Sequence, residues 1–520
     1  MTSQNHRMPE GSNSDGTLGK TPSSRRTIGY VSGIVVATGA AVAFGMNVSH
    51  RSSASAGTPI VSQSRPAGGL TSNLAGSGKS PQVAQASGED DLSTKAEAIA
   101  RLSAQDDRSE GGTADIHTFE SVYGLVEDHY VDQLPDNTKL SRGTVRGMIS
   151  SLNDPNSFFL EPDQRALLDA EARGTFAGIG AVTNIVGQKK DGYTEYKIVV
   201  VDPLPGSPAA KTGLKAGDTI THVDGKWILG SDPFLKLNKL MQKLRDRESD
   251  DDTAYRTEFE SARKRVLGGI GLLPAQMLLR KGTTEKHTLT VQRAGVAEPL
   301  KLSMVNSLTT VDPVSTNAAG NGKAAVVKVS LFTEKTVGEV KTALTKVTKG
   351  QGVVLDLRGN PGGSVPEAVK VGALLAPNSP FALQIGSNGK RAKLAGSGSG
   401  SPIHSLVVLV DKGTARAAEA LAASLQDSGV ATLIGGRTFG DGMARGLYDL
   451  SDGSGFTMTT GKLISPKGYD WQMANGIAPR ISLAPGLTED QIVAKAVAVL
   501  QSPPQRVATV PATAVKKPQP

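Results

Sequence analysis

Apolar and polar residues follow different spacings in successive parts of the chain, and each spacing predicts a different kind of element. Between Ile116 and Val126 the apolar residues recur at helical intervals, and a second helix is predicted over Leu140 to Leu152. From Gly174 to Ile228 short apolar runs are separated by glycine, proline and aspartate, which predicts strands joined by turns. After Lys323 the order becomes strand, helix, strand, helix. That order predicts a layered α/β core with ligands at the strand ends.

An uncharged stretch near the amino end, Thr27 to Ser49, has the length of a bilayer-spanning helix and follows Arg25 and Arg26. We expect residues 1–26 to stay in the cytoplasm and the rest to lie in the cell envelope, held by a single pass through the inner membrane. Small residues spaced as signal peptidase requires leave a cleaved signal as the alternative. The chain would then be released to the periplasm.

Two segments are too poor in large apolar residues to form a core. Residues 50–112 consist largely of small and polar residues, and residues 502–520 have a similar character. We predict that both are disordered, the first as a linker and the second as a tail.

Composition limits the chemistry that this chain can perform. The 520 residues include no cysteine, which excludes disulfides, thiolate metal sites and a cysteine nucleophile. The net charge is +8, but the basic residues are scattered and aromatic residues make up only 4%, so we expect no nucleic-acid partner. His117 and His129 have no cluster of ligand residues beside them, and we expect neither a metal site nor a cofactor.

The predicted strands within residues 174–305 resemble a PDZ domain. The resemblance rests on "GTFAGIGAVTNIV" (174–186) and "GSPAAKTGLKAGDTITHVDGKWI" (206–228). It implies that the turn Gly178-Ile179-Gly180 offers its N–H groups to the terminal carboxylate of a peptide, while an edge strand pairs with that peptide. Glycine permits the close approach that such a turn needs, although paired glycines also occur in ordinary turns.

Residues 235–280 are longer than the single helix that a PDZ domain needs before its last strand. The mixture of charges from Arg245 to Arg265 predicts an exposed helix. The next run, "VLGGIGLLPAQMLL", is apolar enough to require a covering surface. It could form an oligomer contact, a cover over the peptide groove or a packed helical hairpin.

Several motifs follow one another at the start of the predicted folded part and along its second half. They are "SLNDPNSFFLEP" (151–162), "LDLRGNPGG" (355–363), "AAEALAASLQDSG" (417–429), "GGRTFGDG" (435–442) and "NGIAP" (475–479). Because separate blocks agree in order, the chain resembles, over residues 116–501, the C-terminal processing peptidases, also called tail-specific proteases, which are envelope serine peptidases. The resemblance implies an α+β multidomain fold with an N-terminal helical region (113–173), a PDZ β-sandwich or barrel (174–305) and a layered α/β peptidase core (306–501).

The residues at the catalytic positions differ from those that the resemblance implies. In that family a serine attacks the peptide carbonyl, and a lysine about 25 residues later takes its proton. Here Arg416 stands at the serine position and Asp441 at the lysine position, while Gln426 and Asp427, which accompany the dyad in many relatives, remain. Arginine has no nucleophilic oxygen, and an ionised aspartate cannot replace a neutral lysine. No catalytic residue is therefore predicted to be intact.

The two substitutions introduce opposite charges, which predicts that Arg416 and Asp441 form an ion pair in the former active site. Asp427 could compete for Arg416, and the alternative is that both side chains face water in an open groove. The loop "RGNPGGS" matches the family element that stabilises the oxyanion through N–H groups near Gly362 and Gly363. An ordinary glycine turn at the end of a buried strand explains the same letters.

These patterns together predict a pseudopeptidase that binds polypeptide C-termini or extended peptides through its PDZ domain without hydrolysing them. Other expected partners are the membrane and either an active relative or a second copy of the chain. One alternative is an active serine-type endopeptidase with relocated residues, for which Thr414 and Ser424 supply the nearest hydroxyls. Another is a membrane scaffold that acts through residues 235–280.

Overall fold

The computed structural model of this chain describes residues 116–132, 137–190, 193–230, 242, 253–396, 398, 403 and 405–501. All of them belong to one structural unit, Thr113–Pro520. The predicted membrane segment, the predicted linker and the predicted tail lie outside these ranges. Within them, no helix is both long enough and apolar enough to cross a bilayer.

Three helices and a short strand open the described part. They are α1 (Ile116–His129), α2 (Asn137–Ser151), β1 (Phe158–Leu160) and α3 (Pro162–Ala172). The two helices predicted here from apolar spacing are both present, and α2 begins three residues before its predicted start. Pro162 begins α3, where its fixed φ suits the first turn and its missing N–H has no helical partner to lose.

The PDZ region is a seven-stranded sheet with packed helices. After β2 (Thr175–Phe176), its elements are β3 (Ala181–Lys190), β4 (Tyr193–Pro203), α4 (Pro208–Lys211), β5 (Thr219–Val223), β6 (Lys226–Leu229), α5 (Thr253–Leu267), β7 (Ile270–Gly271), α6 (Leu272–Arg280), β8 (Lys286–Gln292) and β9 (Leu300–Val305). The strand order is β3-β4-β5-β6-β7, with β8 beside β5 and β9 beside β8. Ile198, Ile220 and Leu289 are buried between the sheet and the helices. Strand β3 has no partner in this sheet except β4.

The apolar run predicted to need a covering surface is folded into the PDZ core. Its second half forms α6, whose Ala275 and Leu279 are buried with the strand residues of the same core. For α6, the covering surface that this run was expected to need is supplied by the PDZ core itself. The charged half contains α5, and residues 231–241 and 243–252 lie outside the described ranges.

A second, six-stranded sheet forms the peptidase-like core. After β10 (Thr309–Thr310), which pairs with β2, its elements are β11 (Val314–Ala319), β12 (Ala324–Val329), α7 (Thr336–Thr345), β13 (Gly352–Asp356), α8 (Val365–Leu375), β14 (Pro380–Ile385), β15 (Arg391–Ala395), β16 (Leu406–Val410), α9 (Ala417–Asp427), β17 (Ala431–Gly435), β18 (Met443–Asp449), β19 (Gly455–Ile464), β20 (Ile481–Ser482) and α10 (Glu489–Gln501). The six strands are β11-β12-β13-β16-β17-β20, parallel except for β11.

Helices cover both faces of this sheet, as the strand and helix alternation predicts. Alternate residues of a strand point to opposite faces, so Leu355 packs with α7, α8 and α9 while Val354 packs with α10. Burial on both sides explains why β13 and β16 are continuous apolar runs without polar alternation. The remaining strands, β14, β15, β18 and β19, join β1 in a separate five-stranded sheet.

Candidate functional site

Arg416 lies at a strained corner between a strand and a helix. β16 ends at Val410, α9 begins at Ala417, and Arg416 is the residue immediately before the helix. Its backbone has φ 53° and ψ −114°, a conformation that non-glycine residues adopt at a cost on the order of 1–3 kcal/mol. Strained strand-to-helix corners expose one side chain above the end of a sheet and cluster at functional sites. The corner is therefore a candidate functional position.

Glu419 is the buried carboxylate that holds this corner to the loop before β18. It accepts hydrogen bonds from the N–H groups of Arg416 (3.0 Å), Gly440 (2.7 Å) and Asp441 (2.9 Å) and from the hydroxyl of Thr438 (2.5 Å). Burial raises the pKa of Glu419 to about 7, although these hydrogen bonds pull it downward. One side chain thus fixes the backbone at both positions 416 and 441.

Asp441 accepts hydrogen bonds from three side chains and is nearly inaccessible to water. Nε of Arg416 lies 2.9 Å from its Oδ2, Nη1 of Arg445 lies 3.1 Å from the same oxygen, and Nδ2 of Asn184 lies 2.9 Å from it. Burial alone would raise the pKa of Asp441, but the charges of Arg445 and Arg416 outweigh burial and lower it. The ion pair predicted between Arg416 and Asp441 is present, and a second arginine shares the carboxylate.

This group crosses from the PDZ sheet to the peptidase-like core. Asn184 belongs to β3, and its Oδ1 accepts from Nη2 of Arg416 (3.2 Å) and from Nη2 of Arg445 (3.3 Å). Nη2 of Arg416 also lies 3.5 Å from the carbonyl oxygen of Thr183. We call Arg416, Asp441, Arg445 and Asn184 the interdomain cluster. It holds the edge of β3 against the corner at residue 416.

Sequence reasoning did not identify two members of this cluster. The sequence gives only a weak indication of each residue's role. Arg445 lies in β18, four residues after Asp441, and Asn184 is a polar residue within the apolar run "AVTNIV". Neither signal names a partner, because Asn184 and Arg445 are 261 residues apart in the chain.

Gln426 and Asp427, which the resemblance implies as companions of the dyad, make no hydrogen bond to the interdomain cluster in the part of the chain that the structure describes. Both lie at the far end of α9, about 15 Å along the helix from Arg416 at 1.5 Å per residue. Gln426 is exposed, and Oδ2 of Asp427 accepts from the backbone N–H of Lys467 at 2.8 Å. Asp427 is therefore not a competitor for Arg416.

The nearest hydroxyl groups are used as structural donors. Oγ1 of Thr414 is buried and donates to the carbonyl of Leu357 at 2.8 Å, and Oγ of Ser424 donates to the carbonyl of Pro380 at 3.1 Å. Among the hydrogen bonds of the described residues, neither hydroxyl has a lysine or histidine partner. The geometry gives no support to a relocated nucleophile at either position.

The loop with Gly362 and Gly363 lies directly against the corner at Arg416. A Cβ at Gly362 would lie 2.9 Å from Cβ of Arg416, and both glycines have φ above 100°. The N–H of Gly362 donates to Oδ1 of Asn360 at 2.9 Å. The loop has the position that the family resemblance implies, but this amide is engaged by the protein itself.

The PDZ turn at Gly178, Ile179 and Gly180 is occupied by the protein's own backbone, contrary to its predicted role. The N–H of Gly178 donates to the carbonyl of Gly282 (3.0 Å), and that of Ile179 donates to the carbonyl of Leu279 (2.9 Å). A Cβ at Gly178 would lie 2.1 Å from the Leu279 carbonyl oxygen, so glycine is required for this approach. In this structure the turn binds the end of α6 and does not offer these two amides to a peptide.

A pair of acidic side chains forms another contact between the PDZ region and the core. Asp411 follows β16, and its Oδ1 accepts from the N–H groups of Gly359 (3.0 Å) and Gly413 (2.9 Å). Asp202 of β4 approaches the same two glycines, since a Cβ at Gly413 would lie 2.7 Å from its Oδ1. Burial and the charge of Asp411 raise the pKa of Asp202 to about 8. In the part of the chain that the structure describes, no three acidic or histidine side chains are grouped to hold a metal ion.

Comparison with protein-family models agrees with this architecture. The model "Peptidase family S41" matches residues 323–483, the model "PDZ domain" matches residues 199–242, and the model "Activating protease CtpB N-terminal domain" matches residues 75–164. The first of these ranges contains both Arg416 and Asp441.

Individual relatives match most of the chain. The carboxy-terminal processing protease CtpA of Bacillus subtilis is 30% identical over 71% of this chain and 69% of its own length. The chloroplastic C-terminal processing peptidase of Tetradesmus obliquus is 29% identical over 70% of this chain and 73% of its own. The solved structure of the photosystem II D1 C-terminal processing protease covers 75% of this chain and 98% of its own, with 26% identity and a TM-score of 0.53. The chain therefore belongs to peptidase family S41, and its homologues are carboxy-terminal processing proteases.

Proposed function

We propose that this protein is a non-hydrolytic member of its family, which binds polypeptides without cutting them. The observation that carries the proposal is the ion pair between Arg416 and Asp441 at the positions where the resemblance implies a serine and a lysine. A guanidinium stays protonated at any ordinary pH, and it has no oxygen with which to attack a carbonyl. Arg445, the other cation of the cluster, cannot act as a base for the same reason.

Polypeptide binding is supported by family membership and by the PDZ domain. In the proposal, the ligand is a polypeptide C-terminus or an extended segment that pairs with β3. The N–H groups of Gly178 and Ile179 would then break their hydrogen bonds to the carbonyls of Gly282 and Leu279 and donate to the peptide carboxylate instead. Gln276 of α6 also bonds to Thr183 of β3 (3.2 Å), so the same event has to separate α6 from β3.

The setting of this activity is also a proposal. The uncharged residues 27–49 support a membrane anchor, with the PDZ domain and the core on the outer side in the cell envelope. A protein of this kind acts as an adaptor that presents polypeptides to an active relative or withholds them from it.

Labelling with a serine-reactive fluorophosphonate tests the absence of hydrolysis. The unaltered chain is expected to remain unlabelled, and to leave an unfolded polypeptide substrate intact over hours. The double variant Arg416→Ser/Asp441→Lys is the positive comparison, and Arg416→Ala/Asp441→Lys is its matched control without a hydroxyl. Cleavage by the unaltered chain that disappears when one of its own hydroxyls is removed would overturn the proposal.

A separate binding assay tests the ligand. Peptides with free and amidated C-termini are titrated against the full chain, and the free carboxylate is expected to bind more tightly. Equal affinities would show that the terminal charge is not recognised.

A further inference from the structure

One of the two outer strands of the six-stranded sheet, β11, has an edge that no described strand covers. β11 pairs antiparallel with β12 over Val314 to Ala319 in regular register, and no other described strand pairs with it. The N–H of Ser330 donates to the carbonyl of Pro313. Because hydrogen-bonded and non-hydrogen-bonded pairs alternate in an antiparallel ladder, Val314, Thr316 and Ala318 direct their backbone groups away from β12.

The composition of β11 differs from that of β15 and β9, two other strands at sheet edges. Natural proteins usually block free edges with charged residues, proline or a bulge. β15 carries Arg391 and Lys393 on its exposed positions, and β9 carries Lys301. β11 reads "VSTNAA", without a charge or a proline, and its middle four residues are exposed. An edge of this kind is competent to pair with another strand.

Helix α7 forms one wall of a groove along this edge. The groove has a volume of about 260 Å³ and is lined by Val314 and Thr316 of β11 and, from the helix side, by Gly338, Glu339, Thr342, Ala343 and Lys346. A Cβ at Gly338 would meet no atom within 4 Å, so this face of the helix is open. Small residues on the wall leave room for a second helix beside α7.

The charges along the groove have a definite direction. α7 connects two parallel strands and therefore runs opposite to β12, which means that it runs in the same direction as β11. Glu339 thus lies towards the Val314 end of the strand and Lys346 towards the other end, roughly 10 Å apart along the helix. Neither side chain has an ion-pair partner among the described residues.

We propose that β11 pairs antiparallel with β11 of a second copy of this chain, with the two-fold axis near Thr316. An antiparallel pair with two-fold symmetry is isologous, so each surface meets its own equivalent. It brings Glu339 of one copy towards Lys346 of the second copy, and the symmetry repeats this contact. The two six-stranded sheets then form one continuous sheet, and α7 lies antiparallel to its counterpart.

This interface is independent of the proposed function. It uses neither the PDZ domain nor the interdomain cluster, so the chain could dimerise whether or not it hydrolyses peptides. An extended peptide on the same edge is the other conceivable occupant, but only a second copy matches both charges at once.

Cysteine cross-linking tests the strand pairing, because the chain contains no cysteine of its own. Thr316→Cys places two thiols across the axis, where hydrogen-bonded strand partners have Cα atoms about 5.5 Å apart, within disulfide range. The full chain is oxidised in mild detergent and then analysed by denaturing gel electrophoresis without reductant. Most of the variant is expected to migrate as a covalent dimer, whereas the exposed control Ser387→Cys stays monomeric. Failure of Thr316→Cys to cross-link beyond the control overturns the pairing.

Charge exchange tests the partner by a different route. Glu339→Lys or Lys346→Glu alone brings like charges together at both symmetric contacts and is expected to weaken dimerisation by about tenfold or more. The double variant restores opposite charges and should restore the dimer in sedimentation velocity. Lys341→Glu, on an exposed position of α7 outside the groove, is the matched control. A monomeric unaltered chain, or a double variant as weak as the single ones, contradicts the proposal.

Discussion

Arg445 and Asn184 meet above the carboxylate of Asp441. Nη2 of Arg445 lies 3.3 Å from Oδ1 of Asn184, and each side chain also bonds to Asp441. One residue comes from β18 of the core and the other from β3 of the PDZ sheet. The carboxylate of Asp441 thus joins the two domains, and its contributions to stability and to domain motion can be measured separately.

Removing the side chain of Asp441 should destabilise the fold more than removing the side chain of Arg416. We expect Asp441→Ala to lower the free energy of unfolding by about 2–4 kcal/mol, because two guanidinium groups lose their carboxylate. Arg416→Ala should lower it less, since Arg445 still pairs with Asp441 and the Arg416 side chain is 26% exposed. Denaturant titration followed by circular dichroism measures both changes. A larger loss for Arg416→Ala would contradict the shared-carboxylate arrangement.

Asn184→Ala should loosen the contact between β3 and the core without unfolding either domain. The variant removes the amide that bridges Asp441 and the two arginines. We expect faster hydrogen exchange in β3 and in residues 438–445, with exchange in β13 and β16 unchanged. Gln188→Ala, at an exposed position on the same strand, is the control. Equal hydrogen-exchange rates of β3 in Asn184→Ala and Gln188→Ala would show that Asn184 does not hold β3 against the core.

The acidic pair at the domain boundary predicts a fall in stability with rising pH. The pKa of Asp202 is about 8 in the folded chain, against an unfolded value near 3.9. The folded state therefore holds an extra proton between these values, and stability falls by up to about 1.4 kcal/mol per pH unit until it levels above the folded pKa. Asp202→Asn should flatten the profile between pH 5 and 8 and be the more stable form at pH 9. Unfolding at each pH tests this, with exposed Asp312→Asn as the control.

A serine–lysine dyad introduced at positions 416 and 441 should be more stable when Arg445 is also changed. In Arg416→Ser/Asp441→Lys, the new lysine lies beside the partly buried Arg445 with no shared carboxylate, and two adjacent cations disfavour the folded site. Adding Arg445→Gln removes one cation and keeps a hydrogen-bonding side chain. We expect the triple variant to be more stable than the double variant by about 1–2 kcal/mol. It should also label more rapidly with a fluorophosphonate. Equal melting temperatures and equal labelling would argue against repulsion by Arg445.

The core could be predicted from the sequence because its signals are local. β13 and β16 are buried on both faces, and strands of this kind are continuous apolar runs, which can be recognised directly in the amino-acid sequence. The ion pair of Arg416 and Asp441 was predictable for another reason: two opposite charges stand at positions that the family resemblance places together. The contact of Arg445 and Asn184 within the interdomain cluster was not predictable, because Asn184 comes from a different domain.

The PDZ turn shows where local reasoning fails. Gly178 and Gly180 have the positive φ angles that the sequence predicts. The partners of the Gly178 and Ile179 amides depend on where α6 ends, because the carbonyls of Gly282 and Leu279 lie about a hundred residues further along the chain. A glycine motif thus specified the backbone shape of the turn but not what the turn binds.

Glu419 makes the backbone at positions 416 and 441 tolerant of side-chain exchange. It secures the main chain at positions 416 and 441 through backbone amides, which every amino acid except proline supplies. The main chain at this corner is thus insulated from the identity of the side chains that it carries. Substitutions at positions 416 and 441 can therefore change what the site does while the surrounding architecture stays intact.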